Sequence, residues 1–208
     1  MKHIDELVNR YPSLKSCKVE IENATRAFIE VYKEGGKLLI CGNGGSASDA
    51  QHIVGELMKA FCKKRKISAE IEQNLKKNPL FDDELILNLE GSLPAISLNS
   101  ETSLMTATMN DRVSELVYAQ QVLGYAKDND ALLCISTSGN SKNIVNAASV
   151  AKAMNIKVVS LTGQKDSKLS SISDITIKAP EVETFKIQEL HLPIYHAICL
   201  EIEEYFFA

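Results

Sequence analysis

The stretch "CGNGGSASDAQHIVGE", residues 41–56 of this 208-residue chain, begins with three glycines in four positions and ends with a histidine and a glutamate four residues apart. An apolar run at residues 37–41 leads into it and predicts a buried β-strand. A helical pattern begins at Ser46 and continues to about residue 61. A strand, a glycine-rich turn and a helix in this order form the unit that holds ligands at the carboxyl end of a parallel strand. The stretch is therefore compatible with a dinucleotide, a phosphate, a metal ion or a tight turn without a ligand.

The same alternation of apolar runs and helical segments continues along the chain. Strands are predicted at residues 37–41, 94–98, 131–135, 157–161 and 174–177. Helices are predicted at residues 14–31, 46–61, 116–125, 143–154 and 183–207. The strands are apolar throughout, which is typical of strands that are covered by helices on both faces. The pattern predicts an α/β fold, with a parallel sheet flanked by helices, in a single domain over residues 1–208.

Two segments lie outside this alternation. Residues 1–36 form an N-terminal helical segment in which small and apolar side chains recur every three or four positions. These side chains belong to Leu14, Cys17, Ile21, Ala24, Phe28 and Val31. A narrow seam of this kind suits packing against another helix, either within the chain or across a subunit interface. Residues 62–92 are charged with weak helical patterns, and we interpret them as an inserted helical excursion that is partly exposed.

Composition restricts the class of protein and its partners. Lysine and arginine number 23, and aspartate and glutamate number 27, so the net charge of −4 gives no basic footprint for nucleic acid. We interpret the one basic run, residues 63–66, as a solvated face. The five cysteines form no CxxC pair, which argues against a disulfide framework or a zinc ribbon. Without a signal pattern or an apolar stretch of membrane-spanning length, we expect a cytoplasmic protein with no nucleic-acid or membrane partner.

The glycine-rich turn on its own fits more than one kind of site. Residues 42–47 match G-x-G-x-x-A, a fingerprint of dinucleotide-binding folds. An acidic residue that would hold a ribose is expected about 20 positions further on, but residues 62–66 there contain none. A nucleotide-binding oxidoreductase is therefore the weakest hypothesis, while a tight turn without a ligand stays open.

A second loop of similar composition favours a phosphate. Residues 136–141, Ser-Thr-Ser-Gly-Asn-Ser, follow the predicted strand at 131–135 and precede a helix. Because the carboxyl ends of parallel strands meet at one edge of a sheet, the two loops are expected to lie side by side. Backbone N–H groups at helix starts, together with serine hydroxyls, suit the oxygens of a phosphate monoester.

Two pairs of polar side chains on helices are candidates for chemistry. His52 and Glu56 are four residues apart and therefore share one face of their helix. Gln188 and His196 lie a little over two turns apart on the closing helix, with Pro193 between them. From the residues alone, the first pair is also compatible with a surface ion pair, and His196 with a core histidine.

The motifs "CGNGGSASDAQH" and "ISTSGNS" resemble the two signature loops of the sugar isomerase (SIS) domain family, which binds phosphosugars. Within that family the chain is most similar to the phosphoheptose isomerases, from the N-terminal helix to the last helix except for residues 62–92. The resemblance implies a three-layer fold with a five-stranded parallel sheet flanked by helices. It also implies a homotetramer, in which residues 1–36 would serve in oligomer packing.

The resemblance further implies a reaction. Sedoheptulose 7-phosphate would be converted to D-glycero-D-manno-heptose 7-phosphate through an enediol, in heptose biosynthesis for lipopolysaccharide or capsule. By family match, Glu56 is the base and His196 the acid, and one zinc ion per site has the ligands His52, Glu56, Gln188 and His196. The match also implies substrate contacts at Asn43, Gly44, Gly45, Ser46, Glu56, Asn110, Asp111, Ser136, Thr137, Ser138, Ser141 and Gln188.

Two departures from the family pattern bear on the substrate. Residues 62–92 stand where close members have a short connection, and Ala60, beside Lys59, stands where many members have an arginine. Both leave room for a related phosphosugar. Some SIS-domain tetramers instead bind a replication initiator protein without catalysis, and these lack the glutamate and the second histidine. This chain keeps Glu56 and His196, so the enzyme is favoured and the binding protein is the alternative.

Overall fold

The computed structural model describes all 208 residues, Met1–Ala208. Its centre is an entirely parallel sheet of five strands in the order β2-β1-β3-β4-β5. The strands are β1 (Leu38–Gly42), β2 (Ala95–Ser97), β3 (Ala131–Ile135), β4 (Lys157–Thr162) and β5 (Ile175–Lys178). The predicted α/β fold with a five-stranded parallel sheet is confirmed, because each apolar run predicted as a strand forms one.

Ten α-helices accompany the sheet, none of them both long and apolar enough to cross a membrane. They are α1 (Lys2–Arg10), α2 (Lys18–Lys33), α3 (Gly45–Met58), α4 (Ala69–Lys76), α5 (Asp83–Asn88), α6 (Thr102–Asp111), α7 (Val117–Tyr125), α8 (Lys142–Ala153), α9 (Lys168–Ile172) and α10 (Thr184–Phe207). Two short 3-10 segments, Pro12–Cys17 and Ser114–Leu116, lead directly into α2 and α7.

Helices cover both faces of the sheet. On one face α1, α2, α3 and α10 share a core with Leu38 and Ile40 of β1. On the other face α7, α8 and α9 share a core with Leu39 and Cys41 of the same strand. Successive side chains of a strand point to opposite faces of the sheet, so β1 contributes to both cores. This is why its residues are apolar throughout.

The strand order creates a crevice at one edge of the sheet. The helix that follows β1, α3, belongs to one core, and the helix that follows β3, α8, belongs to the other. Because β1 and β3 are neighbours, the chain leaves their carboxyl ends in opposite directions, and open α/β sheets bind ligands at such a point. The loops at residues 42–46 and 136–141 flank this crevice.

The sequence pattern does not predict α6 or α9, and it includes α1 only within the N-terminal helical segment, without bounds for that helix. Helix α1 depends on a tertiary contact, because the Glu201 carboxylate of α10 accepts hydrogen bonds from the N–H groups of His3 (2.6 Å) and Ile4 (3.2 Å). These are free donors at the start of a helix. Helix α9 has five residues and depends on a capping box formed by Ser167 and Ser170.

The apolar seam of the N-terminal segment is buried within the chain. Its members, from Leu14 to Val31, are at most 6% exposed, and α2 packs against α10 and β5. The helix predicted at residues 14–31 starts as a 3-10 segment and ends before Gly35, whose φ of 75° favours glycine. The role of residues 1–36 in oligomer packing stays a prediction.

Residues 62–92 carry the two short helices α4 and α5, neither of which has a buried residue. The interpretation of residues 63–66 as a solvated face is wrong for Arg65. The Arg65 side chain is fully buried, with Nε 2.9 Å from Oε1 of Glu203 on α10. Burial of this cation is possible because a buried carboxylate pairs with it.

Candidate active site

The first loop, residues 42–46, turns sharply from β1 into α3. Gly44 has a φ of 56°, in the region that favours glycine. A Cβ atom on Gly42 would lie 2.3 Å from the carbonyl oxygen of Ser46, and one on Gly45 would lie 2.7 Å from Nε2 of Gln188. The glycines therefore let the loop fold tightly and let Gln188 of α10 approach its backbone.

Side chains from three other parts of the chain hold this loop. The amides of Asn43 and Asn143 exchange two hydrogen bonds of 2.9 Å, which join the loop to α8. The carbonyl oxygen of Gly42 accepts hydrogen bonds from the hydroxyl of Tyr118 (2.8 Å) and from Nδ2 of Asn99 (2.7 Å). Sequence reasoning missed these three partners, because they belong to no motif and lie at least 57 residues from the loop.

The second loop, residues 136–141, leads from β3 into α8. The hydroxyl oxygens of Ser136 and Ser141 lie 3.3 Å apart. Ser141 is the N-cap residue of α8, but its side chain makes no capping hydrogen bond, which leaves the helix start open to an anion. Thr137, Ser138 and Lys165 line an adjoining cavity of about 220 Å³. Hydroxyls, a helix start and a lysine together suit a phosphate group.

The side chains predicted for catalysis meet where α3 packs against α10, beside the first loop. Nε2 of His52 lies 3.2 Å from Oε1 of Glu56, and the ring centroids of His52 and His196 are 5.0 Å apart. Oε2 of Glu56 and Nε2 of His196 are buried and have no hydrogen-bond partner. Since buried polar atoms are normally paired, this arrangement is typical of a site that receives a ligand rather than of a surface ion pair.

Burial and neighbouring charges change the proton affinities in this cluster. Desolvation and the nearby His52 lower the pKa of His196, and Glu56 opposes them in part. The neutral imidazole is therefore favoured, which allows His196 both to accept and to donate a proton near neutral pH. Desolvation, followed by the charge of Asp49, raises the pKa of the Tyr195 hydroxyl, which lies 3.0 Å from Nδ1 of His52.

Three of the four residues predicted as zinc ligands, His52, Glu56 and His196, lie together, and the fourth, Gln188, approaches Gly45 of the first loop. The four do not form a finished metal site. Imidazole nitrogens and a carboxylate are good zinc donors, and the unpartnered atoms of Glu56 and His196 fit such a use. No group of three His, Cys, Asp or Glu side chains in the chain is arranged to hold a metal ion. Zinc binding by His52, Glu56, Gln188 and His196 stays a prediction.

The side chains of Asn110 and Asp111 make no hydrogen bond to either loop. The two residues end α6, are exposed, and hydrogen bond to each other at 2.7 Å. Their helix does approach the first loop, since Met109 and Asn43 line one cavity. Direct contact of Asn110 and Asp111 with a substrate stays a prediction.

A buried ion pair anchors the end of α3 that carries Glu56. Arg65 donates from Nη2 to the carbonyl oxygen of Glu56 (2.8 Å) and from Nη1 to that of Leu57 (2.6 Å). Its partner Glu203 also accepts a hydrogen bond from the N–H group of Phe61 at 2.8 Å. These contacts satisfy free carbonyl groups at the helix end and tie α3 to α10.

Comparisons with known proteins agree with this description. Models of the SIS domain match residues 95–200 and residues 3–78. A phosphoheptose isomerase of Helicobacter pylori is 38% identical over 194 residues, covering 93% of this chain and 88% of that protein. The phosphoheptose isomerase of a Nitratiruptor species is 38% identical over 192 residues, covering 92% of this chain and 89% of that protein.

Solved structures give the same result. A phosphoheptose isomerase from Neisseria gonorrhoeae has a TM-score of 0.75 at 28% identity, over 98% of this chain and 96% of that one. One from Francisella tularensis has a TM-score of 0.69 at 29% identity, over 98% and 100% of the two chains. The strand order and the two loops thus define a protein of the SIS domain class. The chain belongs to the phosphoheptose isomerases of the SIS domain family, as its sequence motifs predict, and it is an isomerase.

Proposed function

We propose that the protein converts sedoheptulose 7-phosphate to D-glycero-D-manno-heptose 7-phosphate through an enediol. One observation carries the proposal: Oε2 of Glu56 and Nε2 of His196 are both buried without a hydrogen-bond partner, where α3 meets α10. Aldose–ketose isomerisation through an enediol needs a general base and a general acid, and a carboxylate and an imidazole with free proton-accepting atoms can serve as the two. The names of the relatives support the same reaction.

The two loops would divide the substrate between them. The hydroxyls of the second loop and the start of α8 would bind the phosphate, because they offer several donors to one anion. The first loop and Gln188 would face the sugar hydroxyls. The residues proposed for phosphate are Ser136, Thr137, Ser138 and Ser141, and those proposed for the sugar are Asn43, Gly44, Gly45, Ser46, Asn110, Asp111 and Gln188.

The proton transfers would use Glu56 and His196. Glu56 would take the proton from C1 of the ketose, and His196 would move a proton from the C1 hydroxyl to the carbonyl oxygen at C2. Return of the first proton from Glu56 to C2 gives the aldose. The lowered pKa of His196 suits this role, since a neutral imidazole accepts at one nitrogen and donates at the other.

We further propose that one zinc ion binds His52, Glu56, Gln188 and His196. The donor types and the unpartnered atoms of Glu56 and His196 support this proposal. When bound, zinc would supply Lewis-acid chemistry at the carbonyl oxygen of the substrate. Metal analysis of untagged protein tests it, and protein that takes up no zinc would contradict it.

For the whole molecule we propose a homotetramer that acts in the cytoplasm and supplies heptose for lipopolysaccharide or capsule. The alternative, a non-catalytic tetramer that binds a replication initiator, is not favoured. The chain keeps Glu56 and His196, and the relatives described above are named as isomerases.

Incubation of the purified protein with sedoheptulose 7-phosphate tests the proposed reaction. We expect NMR signals of the aldoheptose phosphate to grow until the two sugars reach equilibrium, while substrate kept in buffer stays unchanged. Absence of turnover both with and without added zinc would overturn the proposal for this sugar. Related ketose phosphates, tried in parallel, would then show whether the insert at residues 62–92 accompanies a different substrate.

A further inference from the structure

The insert at residues 62–92 exposes an apolar surface. Its helices α4 and α5 have eight and six residues, and neither has a buried residue. Helices this short are marginal in water unless they pack against another surface. Five large apolar side chains of the insert are between 43% and 89% exposed, namely those of Ile71, Leu80, Leu85, Leu87 and Leu89. Exposed apolar side chains grouped in this way mark a surface that contacts another macromolecule.

Part of this surface forms a groove at the end of α5. The groove has a volume of about 420 Å³, and its apolar lining consists of Ile67, Ile86, Leu87 and Leu89. The two ends of the insert meet here, because the N–H group of Gly91 donates to the carbonyl oxygen at residue 65 at 3.0 Å. The groove therefore combines side chains from the beginning and the end of the insert.

Free charges of opposite sign lie at the two ends of α5. Lys64 and Lys66 line the groove at the C-terminal end of this helix, and both are exposed. Asp83 and Glu84 form the first turn at the other end and are exposed as well. None of these four side chains takes part in the ion pairs of the insert, which use other residues.

The acidic side chains within the groove already have partners. Glu72 pairs with Lys76 at 2.6 Å, and the carboxylate of Glu90 accepts a hydrogen bond of 2.9 Å from the N–H group of Ala60. The charges left free at this end of α5 are therefore positive, whereas those at its start are negative.

Such a surface is complementary to itself. When two copies of α5 lie antiparallel across a two-fold axis, the acidic start of each helix meets the basic end of the other. The apolar side chains of both copies then pack between these ends. A two-fold contact pairs the same two groups twice, so both ends are matched at once. A partner with one predominant charge would instead face like charges at one end, which is unfavourable.

We infer that residues 62–92 form a contact surface on which a second copy of this chain docks, with the two α5 helices antiparallel. The inference goes beyond the proposed reaction and does not rest on it. It also differs from the oligomer packing proposed for residues 1–36, because the groove is lined by residues 64–90. The insert would thus serve assembly of the protein.

Disulfide cross-linking between copies tests this contact. Leu87 is exposed and lies between the two charged ends of α5, so it should be near the two-fold axis. We expect Leu87→Cys, made with Cys62→Ser to remove the exposed native thiol, to cross-link two copies on mild oxidation with copper–phenanthroline. Leu123→Cys, at an exposed leucine of α7, is the matched control. It should react at least about 10-fold more slowly, because no contact raises the effective concentration of its thiols.

Charge reversal tests the proposed pairing. In the Leu87→Cys protein, Lys64→Glu with Lys66→Glu, and separately Asp83→Lys with Glu84→Lys, should each slow cross-linking at least about 10-fold, because like charges then meet. An equimolar mixture of the two variants should restore the rate, since opposite charges face each other again across both halves of the contact. Mass spectrometry should find one copy of each variant in the cross-linked product.

A second control separates this pairing from the change in net charge. Lys127→Glu with Lys157→Glu reverses two exposed lysines outside the insert and should leave cross-linking of Leu87→Cys unchanged. Circular dichroism checks that each variant is folded, and recovery in the mixture excludes misfolding as the cause of a loss.

Three results would overturn the inference. They are a Leu87→Cys rate no higher than that of Leu123→Cys, which would leave the apolar surface to a different partner, charge reversals without effect, and a mixture that does not recover. None of them depends on turnover. Protein that lacks isomerase activity yet gives the mixed cross-linked product would refute the proposed reaction and leave the contact intact.

Discussion

At the scale of single residues, the burial of His191 on α10 makes the free energy of unfolding depend on pH in the acid range. The side chain is fully buried, with Nε2 3.2 Å from the carbonyl oxygen of Thr162 and no partner for Nδ1. Desolvation lowers the pKa of His191 to about 4, and the hydrogen bond to Thr162 opposes this in part. The unfolded chain binds the same proton at the ordinary pKa of about 6.5, so acid favours unfolding. Above about pH 6.5 neutral His191 contributes fully to the free energy of unfolding. This contribution is lost as the pH falls toward 4.

We predict that His191→Gln reduces the pH dependence of stability. Between about pH 7 and pH 4.5 the free energy of unfolding should fall by roughly 2–3 kcal/mol more in the wild type, since one pKa unit corresponds to about 1.4 kcal/mol. Urea denaturation at a series of pH values measures this difference. Parallel curves for the two proteins would show that His191 does not control acid stability.

Residues of the site differ in how far the sequence predicts them. His52 and Glu56 follow a glycine-rich turn at helical spacing, so their shared face can be predicted. Tyr195 belongs to no spacing pattern, and its contact with Asp49 joins residues 146 positions apart. The prediction of its neighbour His196 rests on family resemblance. That resemblance carries no information about the Tyr195 hydroxyl.

At the scale of elements, the packing of α3 on α10 depends on Glu203. This carboxylate is 1% exposed and accepts hydrogen bonds from Arg65 and from the N–H groups of Phe61 and Cys62. Burial acts to raise the pKa of Glu203, but the hydrogen bonds and the charge of Arg65 together lower it. The ionised form is therefore favoured, and the contact should stabilise the fold near neutral pH.

We predict that Glu203→Gln lowers the free energy of unfolding by about 3–5 kcal/mol, because it leaves the Arg65 cation buried without a counter-charge. The matched control is Glu204→Gln, whose carboxylate pairs with Lys63 at 2.9 Å on the surface and should change stability little. Urea denaturation compares the two variants. Equal effects of both substitutions would contradict this role of the buried pair.

The sequence predicts a strand or helix correctly where its local pattern and its tertiary surroundings favour the same structure. The five strands are short apolar runs between turn signals, and the parallel sheet gives each run two covered faces. The start of helix α1 is not predictable, since its first N–H groups depend on Glu201, almost 200 residues away. Burial of Arg65 was missed for the same reason, because its partner Glu203 lies 138 residues further along the chain.

At the scale of the whole molecule, the sheet order brings the functional parts together. The reversal between β1 and β3 places the two loops at one crevice, and α10 returns to bring Gln188 and His196 beside the helix of His52 and Glu56. Alternating strands and helices predict the layers, and the two loop motifs predict the functional edge. The path of α10 across α3 could not be derived from spacing, because it depends on packing between distant segments.

In the proposed aldose–ketose isomerisation Glu56 is the base, and a single substitution can test this role. Its most direct test is the turnover of sedoheptulose 7-phosphate by wild type and Glu56→Gln, with sugar-phosphate binding measured by calorimetry. We predict a rate loss on the order of 10²- to 10⁴-fold with binding largely retained, because the amide cannot accept the proton. Glu70→Gln, on the exposed surface of α4, is the control and should turn over normally. Unimpaired turnover by Glu56→Gln would show that Glu56 is not the base.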